Sequence, residues 1–444
     1  MQARQTTLRL MLFLMVMVAG NLPAADKPNI IMILSDDVGP GNVSCYGADN
    51  FKTPSIDSLA ENGLRFSQCY AMPQCSPSRC VTLTGRYPFR TGLVKNNTGP
   101  AIDPKREMMI PTVMKQAGYV TASVGKWHLP LSPGEWGFDE YIVFAGSGRY
   151  WRGTAAQSKY YHVNGQKHDL ADGQYMPDLM HEFLVSFITK HKDKPFFVYY
   201  PMSHIHGTIT RTPDSKPGAD EKQLYADNIE YMDKLVGKLM AELDRLGIRE
   251  KTLVLFSGDN GTSGDYCKTA TVNGRNIYGH KLSLDEGGSR VPLIANWPGV
   301  TPAGKVINDL VDFSDFFTTF ADLGGAKLPE AVTLDGHSFA PQLRGEKGSP
   351  RDWIFVQLGA RWYARNQGFK LNESGELFDM SDAPFAEKPV SSEAEKKKLE
   401  AVLKHLNPAG GVIVEARKDK KEKKGKKGKT AEPVVPGKED PEAE

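Results

Sequence analysis

The chain has 444 residues, enough for one large domain or for a large domain with a small companion. Hydrophobic residues make up 40% and charged residues 24%, which is an ordinary globular composition. The formal net charge is +2, but residues 416–429 hold nine Lys or Arg against two acidic residues. The rest of the chain is therefore mildly acidic, so nucleic-acid binding by the folded body is not expected.

The N-terminus has the pattern of an export signal. Arg4 and Arg9 precede an apolar run from Leu10 to Ala19, and small residues follow. We therefore expect a signal peptide over residues 1–25 and an exported protein, periplasmic or secreted. Because the apolar run is short for a membrane span, we do not expect an integral membrane protein; an uncleaved anchor is the alternative.

The number of cysteines is odd. The five are Cys45, Cys69, Cys75, Cys80 and Cys267. In an exported protein at least one of them must then have a fate other than an intramolecular disulfide. Any pairing among the others does not follow from the sequence.

From residue 27 onward, apolar β-like runs alternate with helical segments, which is typical of an α/β fold. Buried strands are predicted at Asn29–Leu34, Tyr119–Val124, Phe196–Tyr200 and Thr252–Phe256. Apolar residues at helical spacing predict a long helix over Glu221–Leu246.

The alternation weakens after about residue 326. We expect a catalytic domain over residues 26–325 and a small C-terminal subdomain over residues 326–410. Residues 411–444 are Lys-rich and then rich in Pro and Glu, which predicts a disordered tail because few apolar residues are available to pack.

Polar residues follow three of the four predicted strands. They are Ser35-Asp36-Asp37, Ser203-His204-Ile205-His206 and Ser257-Gly258-Asp259-Asn260. In open α/β sheets, binding sites form beyond the carboxyl ends of the strands, so we expect these segments to share one crevice.

The candidate metal ligands are Asp36, Asp37, Asp259 and Asn260. Neighbouring residues of a regular strand point to opposite faces, but at a strand end the backbone turns and both aspartates can reach one cation. Three carboxylates and an amide form an all-oxygen set, which favours calcium or magnesium over zinc. Taken alone, Asp-Asp after a strand is also a common turn or helix cap.

The segment from Met72 to Arg86 contains Cys75-Ser76-Pro77-Ser78-Arg79 and then Leu-Thr-Gly-Arg. Pro77 suits the first turn of a helix that begins near Ser76, with Cys75 at its N-terminus, where an anion is favoured. The segment closely resembles the signature of the formylglycine-dependent sulfatases, the arylsulfatase-like members of the alkaline phosphatase superfamily. The resemblance implies that a formylglycine-generating maturation enzyme converts Cys75 to 3-oxoalanine; the alternative is a buried or disulfide-bonded cysteine.

Other segments resemble the same family, in the family's order. Residues 29–37 and 256–261 resemble its metal-binding segments, and Gly125-Lys126-Trp127-His128 resembles its Gly-Lys-Trp-His segment. Lys281 and the Glu-Gly-Gly-x-Arg-x-Pro phrase after it resemble another. The resemblance implies that Lys126 and Lys281 surround the sulfate oxygens. It also implies a calcium ion, with magnesium as the second choice, held by Asp36, Asp37, residue 75, Asp259 and Asn260.

Two histidines compete for one role. Family members usually carry a histidine at a distance from Phe-Phe-x-Tyr that, counted from Phe196, falls on His206. Gly207-Thr208 replaces the usual small residue and proline, so His204 stays a competitor.

The resemblance implies a mechanism. The hydrated aldehyde at position 75 attacks sulfur and displaces the alcohol, which leaves a covalent sulfo-enzyme. His206, together with Lys281, protonates the leaving oxygen. His128 then takes a proton from the second hydroxyl, so that sulfate is expelled. Arg79 holds the hydrated aldehyde and supports the metal carboxylates.

The family's fold implies a large mixed, mostly parallel sheet sandwiched by helices, with a small C-terminal α+β subdomain. The expected substrate is a sulfated carbohydrate or an aryl sulfate, and the loops at residues 146–166 and 208–219 would contact its leaving group. Residues in the first loop suit stacking on a ring: Arg149, Tyr150, Trp151 and Arg152.

Two other functions stay open at this point. One is a phosphatase or phosphonate monoester hydrolase of the same superfamily. The other is a catalytically inactive protein that binds sulfated glycans.

Overall fold

A computed structural model describes residues 27–96, 102–153 and 159–407. The predicted signal peptide at residues 1–25 and the Lys-rich tail at residues 411–444 lie outside the described residues. Across the part that is described, each helix is too short or too polar to cross a lipid bilayer.

A ten-stranded sheet forms the centre of the fold. Its strands are β1 (Asn29–Ser35), β2 (Leu64–Tyr70), β3 (Val120–Lys126), β4 (Glu140–Phe144), β5 (Tyr160–Val163), β6 (Gln166–Asp169), β7 (Phe196–Pro201), β8 (Thr252–Gly258), β11 (Arg290–Asn296) and β12 (Lys305–Asp312). A separate two-stranded hairpin lies between β8 and β11, and its strands are β9 (Thr271–Val272) and β10 (Arg275–Asn276).

The order of strands in the large sheet is β12-β2-β11-β8-β1-β7-β3-β4-β5-β6. The central strands β8, β1, β7, β3 and β4 are mutually parallel, and β2 is parallel to β12. Strand β11 runs antiparallel between β2 and β8, and β5 and β6 add antiparallel hairpins at the far edge. The prediction of a mixed, mostly parallel sheet is confirmed.

Helices cover both faces of this sheet. In chain order they are α1 (Pro54–Glu61), α2 (Cys75–Thr84), α3 (Pro88–Thr91), α4 (Ile110–Gln116), α5 (Met176–His191), α6 (Glu221–Arg245), α7 (Glu286–Ser289), α8 (Asp315–Gly324), α9 (Ala340–Leu343) and α10 (Glu393–Leu406). Short helical turns occupy Pro40–Asn42, Ser44–Tyr46 and Arg249–Lys251.

The central strand β1 shows why a continuous apolar run is needed here. All seven of its residues are buried. Ile30, Met32 and Leu34 pack on the side of α2, α4 and α8. Ile31 and Ile33 pack on the side of α1, α5 and α6. Because successive side chains of a strand point to opposite faces and both faces are covered, both sets must be apolar.

The predicted long helix is present as α6, which begins and ends close to the expected positions. Asp220 is its N-cap, and its side chain accepts a hydrogen bond from Gln223 N at 2.8 Å. Such a cap satisfies an amide of the first turn that has no partner within the helix. The helix ends at Arg245, one residue before the predicted end at Leu246.

A second sheet of five antiparallel strands follows at the C-terminal end of the described chain. Its strands are β13 (Ile354–Leu358), β14 (Arg361–Arg365), β15 (Phe369–Asn372), β16 (Leu377–Asp379) and β17 (Lys388–Val390), and α10 packs on β14 and β15. The earlier part of the predicted subdomain holds α9, which contacts α8. The domain boundary near residue 326 therefore stays a prediction.

One loop expectation needs a correction. Residues 146–166 were expected to form a loop, but Tyr160–Val163 is the strand β5, which pairs with β4 and β6. Its residues are only half-buried, so the sequence lacks the strong apolar run that marks the central strands.

A buried ion pair joins the two sheets. Arg365 of β14 pairs with Glu286 at the start of α7, and both side chains are 1% exposed. Arg365 Nη1 also donates to the hydroxyl of Tyr70 at 2.6 Å, and Arg290 Nη1 lies 2.9 Å from Glu286 Oε2. Since a buried carboxylate is costly without partners, this cluster holds the C-terminal sheet in one place.

We predict that Arg365→Met lowers the free energy of unfolding by about 3 kcal/mol or more, because one partner of a buried pair is lost. Arg361→Met is the matched control on the same strand, since Arg361 makes an exposed pair with Glu373 at 2.7 Å. That change is expected to cost less than about 1 kcal/mol. Urea denaturation followed by circular dichroism measures both, and equal losses would contradict the structural role of the buried pair.

Candidate active site

Two strand ends meet at the carboxyl edge of the large sheet. Asp36 and Asp37 follow β1, and Asp259 and Asn260 follow β8. They lie side by side because β1 and β8 are parallel neighbours paired along their whole length. The structure thus brings Asp36, Asp37, Asp259 and Asn260 into one crevice, as expected for strand ends of an α/β sheet.

Helix α2 brings Cys75 into the same crevice. The helix begins at Cys75 itself, one residue earlier than predicted, and all ten of its residues are buried. Gln74 precedes it in an extended conformation, and Gly85 ends it in the left-handed conformation that glycine adopts without strain. Cys75 Sγ lies 3.5 Å from Asp36 Oδ1.

Four of the predicted site residues form one compact cluster. The ligand-type atoms of Asp36, Asp37, Cys75 and His206 all lie within 4.8 Å of one another. Asp36, Asp37 and Cys75 are buried, and His206 is half-buried. Groups this close can contact a single ion or a single small anion.

Asp36 is surrounded by positive charge. Lys126 Nζ lies 2.7 Å from its Oδ2, and Arg79 Nη2 lies 3.7 Å from its Oδ1. Burial alone would raise the pKa of Asp36, but Lys126, His206 and Arg79 together hold it well below its usual range. Lys126 Nζ also lies 3.4 Å from Cys75 Sγ.

Arg79 links the segments of the site. Its Nε and Nη2 donate to Asp259 Oδ2 at 3.1 and 2.6 Å, and its Nη1 donates to the carbonyl of Lys126 at 2.7 Å. Burial and the carboxylate of Asp36 raise the pKa of Asp259 to about 6. The pKa values of Asp36 and Asp259 move apart because two buried carboxylates repel each other.

Asp37 and Asn260 complete the ring of oxygens. Asp37 has a positive φ of 60°, which few non-glycine residues adopt, and this turn directs its side chain to the same crevice as that of Asp36. Asn260 Nδ2 donates to Asp37 Oδ1 at 2.7 Å. Asn260 Oδ1 is buried and has no hydrogen-bond partner.

These observations fit a hard divalent cation. A buried amide oxygen without a hydrogen-bond donor is costly, and a cation would satisfy it. The carboxylates of Asp36, Asp37 and Asp259 add further oxygen ligands, which calcium and magnesium prefer. The sulfur of Cys75 is the soft atom in the cluster, and it suits such an ion poorly.

His206 and Lys281 close the crevice on one side. Lys281 Nζ lies 3.2 Å from Asp37 Oδ2 and 3.2 Å from His206 Nε2. His206 Nδ1 lies 2.5 Å from the carbonyl oxygen of Gly207. Since a carbonyl only accepts, Nδ1 donates this hydrogen bond, and Nε2 faces the cluster.

His204 lies outside the cluster. Its Nε2 lies 3.0 Å from the hydroxyl of Tyr175, and its ring is packed beside Tyr150 and Tyr231. Burial lowers the pKa of His204 to about 3, so the ring stays neutral. Of the two competing histidines, the structure brings His206 and not His204 to the aspartates.

His128 is half-buried, and its backbone lies next to the start of α2. Ser76 Oγ donates to its backbone carbonyl at 2.7 Å, and its φ of 54° is positive. The side-chain Nδ1 is buried and has no hydrogen-bond partner. Burial and the charge of Lys126 hold the pKa of His128 well below its usual range, so the ring is neutral and can accept a proton.

The sequence analysis did not single out Asn96. Its Oδ1 accepts a hydrogen bond from Ser76 N at 3.0 Å, and its own N donates to Gln74 Oε1 at 2.9 Å. These contacts hold the first turn of α2, where residue 75 sits. Asn96 lies about 20 residues from Ser76 along the chain, and nothing in the sequence between them indicates that it contacts the start of α2.

The loop expected to contact the leaving group is only partly accessible. Arg149 and Tyr150 are buried, which corrects the expectation that both offer surface for stacking. Trp151 is half-buried, Arg152 is exposed, and the guanidinium of Arg211 lies 4.6 Å from the centre of the Trp151 ring.

Comparisons with known proteins agree with this geometry. Residues 28–326 match the protein-family model described as Sulfatase. The N-acetylgalactosamine-6-sulfatase of Canis lupus familiaris is 33% identical over 389 residues, which cover 80% of this chain and 73% of that protein. Arylsulfatase A of Homo sapiens is 32% identical over 388 residues, which cover 77% of this chain and 73% of that protein.

Solved structures show the same fold. Ps i-CgsB in complex with k-i-k-neocarrahexaose has a TM-score of 0.75 and 28% identity, covering 86% of this chain and 92% of that one. The PsFucS1 sulfatase from Pseudoalteromonas sp. has a TM-score of 0.70 and 27% identity, covering 82% of each chain. The chain therefore belongs to the sulfatase family and is a sulfuric ester hydrolase.

Proposed function

We propose that this protein hydrolyses the sulfate ester of a carbohydrate, with calcium as its metal and with a formylglycine made from Cys75 as its nucleophile. The observation that carries the proposal is the cluster of residue 75 with Asp36, Asp37 and His206, whose ligand-type atoms lie within 4.8 Å of one another. An oxygen of the hydrated residue 75 bonds to sulfur as the S–O bond to the alcohol breaks and the alcohol oxygen gains a proton. Loss of a proton from the other hydroxyl of residue 75 then breaks its C–O bond to the sulfate, so sulfate leaves, the aldehyde returns, and one water is consumed overall.

The charges of the crevice suit an anionic ester. Three carboxylates, those of Asp36, Asp37 and Asp259, face three cations, those of Arg79, Lys126 and Lys281. A divalent cation held by Asp36, Asp37, Asp259 and Asn260 would leave the crevice positive and would stabilise charge on the sulfate oxygens.

The chain supplies groups for both proton transfers. His206 Nε2 faces the cluster and lies 3.2 Å from Lys281 Nζ, so this pair is placed to give a proton to the leaving oxygen. The backbone carbonyl of His128 accepts from Ser76 Oγ, next to residue 75, and its lowered pKa keeps the ring neutral, so we assign it the second proton transfer. Lys126 and Arg79 hold Asp36 and Asp259 ionised and in place.

Conversion of Cys75 to formylglycine improves the match between the protein and its metal. It replaces the sulfur in the cluster by oxygen, which a hard cation prefers. The intact Cys75-Ser76-Pro77-Ser78-Arg79 motif supports a maturation enzyme as the partner that performs this step.

Two of the similar proteins support a carbohydrate as the substrate class, and the arylsulfatases among the relatives leave an aryl sulfate as the alternative. One relative is named N-acetylgalactosamine-6-sulfatase, and one structural neighbour binds k-i-k-neocarrahexaose. Trp151, backed by the guanidinium of Arg211 at 4.6 Å, offers a flat ring near the His206 segment, and such rings pack against sugars. The N-terminal signal pattern supports export to the periplasm or beyond the cell.

We predict that the exported protein, produced with a maturation enzyme, carries a residue-75 peptide about 18 Da lighter than the cysteine form. Cys75→Ala should lower sulfate release from 4-nitrophenyl sulfate by about 10⁴-fold or more, because the nucleophile is lost. Cys80→Ala is the matched control, since Cys80 is a buried cysteine of the same helix. Peptide mass spectrometry and release of nitrophenol measure both.

Three results would contradict the proposal. A thiol retained at Cys75 in an active enzyme would exclude the formylglycine. A modified protein that hydrolyses phosphate or phosphonate monoesters and leaves sulfate esters intact would favour the other branch of the superfamily. A modified protein that binds sulfated glycans without turnover would favour the inactive binding protein.

We also predict that Asp37→Asn weakens calcium binding by at least about tenfold, because one carboxylate of the oxygen set is lost. Asp265→Asn is the control, since it removes the same charge from an exposed position in the loop after Asn260. Isothermal titration of calcium into chelator-treated protein measures the affinity. Unchanged calcium affinity in Asp37→Asn, or equal losses in both variants, would contradict the metal assignment.

A further inference from the structure

Tyr150 contacts the backbone of the segment that carries His206. We propose that Tyr150 is a positioning residue that fixes His206 in the orientation from which it protonates the leaving oxygen. The inference rests on the proposed function and adds to it a residue that does not itself contact the substrate. Two neighbouring segments are involved: the His206 segment (residues 203–211), which follows β7, and the Tyr150 segment (residues 146–153), which follows β4.

The hydroxyl of Tyr150 reaches two carbonyls of the His206 segment. It lies 3.0 Å from the oxygen of Ser203 and 2.9 Å from the oxygen of His206, and it donates its proton to this pair. Tyr150 is 0% exposed. The backbone carbonyl of Tyr150 accepts a hydrogen bond from Met176 N at 2.7 Å. Because Met176 begins α5, this bond anchors the backbone of Tyr150 to that helix.

Gly148 contacts the carbonyl that sets the ring of His206. A Cβ added at Gly148, whose φ is +59°, would lie 2.1 Å from the oxygen of Gly207. That same oxygen accepts the hydrogen bond from His206 Nδ1 at 2.5 Å. The Tyr150 segment therefore touches both the backbone of His206 and the carbonyl to which the His206 ring is hydrogen-bonded.

A third contact lies further along the same two segments. Trp151 Nε1 donates to the carbonyl of Arg211 at 2.7 Å. The His206 segment also pairs with the residues that follow β1. Ile205 N donates a hydrogen bond to the carbonyl oxygen of Asp36 at 2.6 Å. His206 is the next residue along the chain, and its carbonyl accepts the hydrogen bond from the Tyr150 hydroxyl.

This placement has a chemical consequence that depends on the leaving group. A general acid contributes most when the departing oxygen is basic, and little when the alcohol is already acidic. A small displacement of His206 should therefore slow esters of weakly acidic alcohols more than esters of acidic ones. A loss of general stability would lower both rates by the same factor.

The test is Tyr150→Phe in the calcium-loaded, formylglycine-containing protein, which keeps the ring and its packing and removes the hydroxyl. We expect kcat for phenyl sulfate to fall at least about tenfold more than kcat for 4-nitrophenyl sulfate. KM for both esters should change little, because the groups that bind sulfate are untouched. Gly148→Ala should give the same difference, by pushing on the Gly207 carbonyl.

Tyr46→Phe is the matched control. The Tyr46 hydroxyl also lies between two carbonyls, those of Phe66 and Leu293, each at 2.8 Å, but on β2 and β11. Loss of the Tyr46 hydroxyl should change kcat for phenyl sulfate and kcat for 4-nitrophenyl sulfate by the same factor. Suppose the wild-type protein releases sulfate from both esters. The role of Tyr150 is then wrong if Tyr150→Phe lowers kcat for both esters by the same factor, or leaves both kcat values unchanged. If the modified wild-type protein cleaves neither ester, the proposed function fails, and the role of Tyr150 fails with it.

Discussion

The guanidinium of Arg79 holds together three segments that are far apart along the chain. It is completely buried, and it contacts the carboxylate of Asp259 after β8 and the carbonyl of Lys126 at the end of β3. Because Arg79 and Cys75 share helix α2, this one side chain fixes the helix start against both strand ends. Buried charges of this kind persist only when every partner is present, so the site is rigid or it does not form.

The C-terminal sheet braces the opposite side of the crevice. Lys370 Nζ donates to the carbonyl of Leu284 at 2.8 Å and pairs with Glu387, whose other oxygen accepts from Glu286 N at 3.1 Å. These contacts fall on the segment just after Lys281. The small sheet thus holds in place a loop that carries one of the site's cations, and this gives it a function beyond completing the fold.

The strand pattern of the central sheet followed from the sequence because β1, β7 and β8 are buried on both faces, and burial leaves a continuous apolar run. The meeting of Asp36 with Asp259 followed from the rule that parallel strands end at one edge. The resemblance favoured His206 over His204, but the strand pattern alone did not separate them, because the segment after β7 is irregular and alternation gives no direction there. Tyr150 was expected at the surface, and its contacts with Tyr175, Ser203 and His206, all distant along the chain, bury it.

Burial of α2 has a consequence for when the protein can become active. Cys75, Pro77 and Arg79, the three residues of the maturation motif, are all buried in the folded chain. An enzyme that modifies Cys75 on this motif must therefore act before the chain folds, and the two processes compete in time. Folded domains open globally only rarely. If formylglycine forms as proposed, each molecule keeps the state of residue 75 with which it folded, and incomplete modification leaves two species of the same fold, one with the nucleophile and one without it.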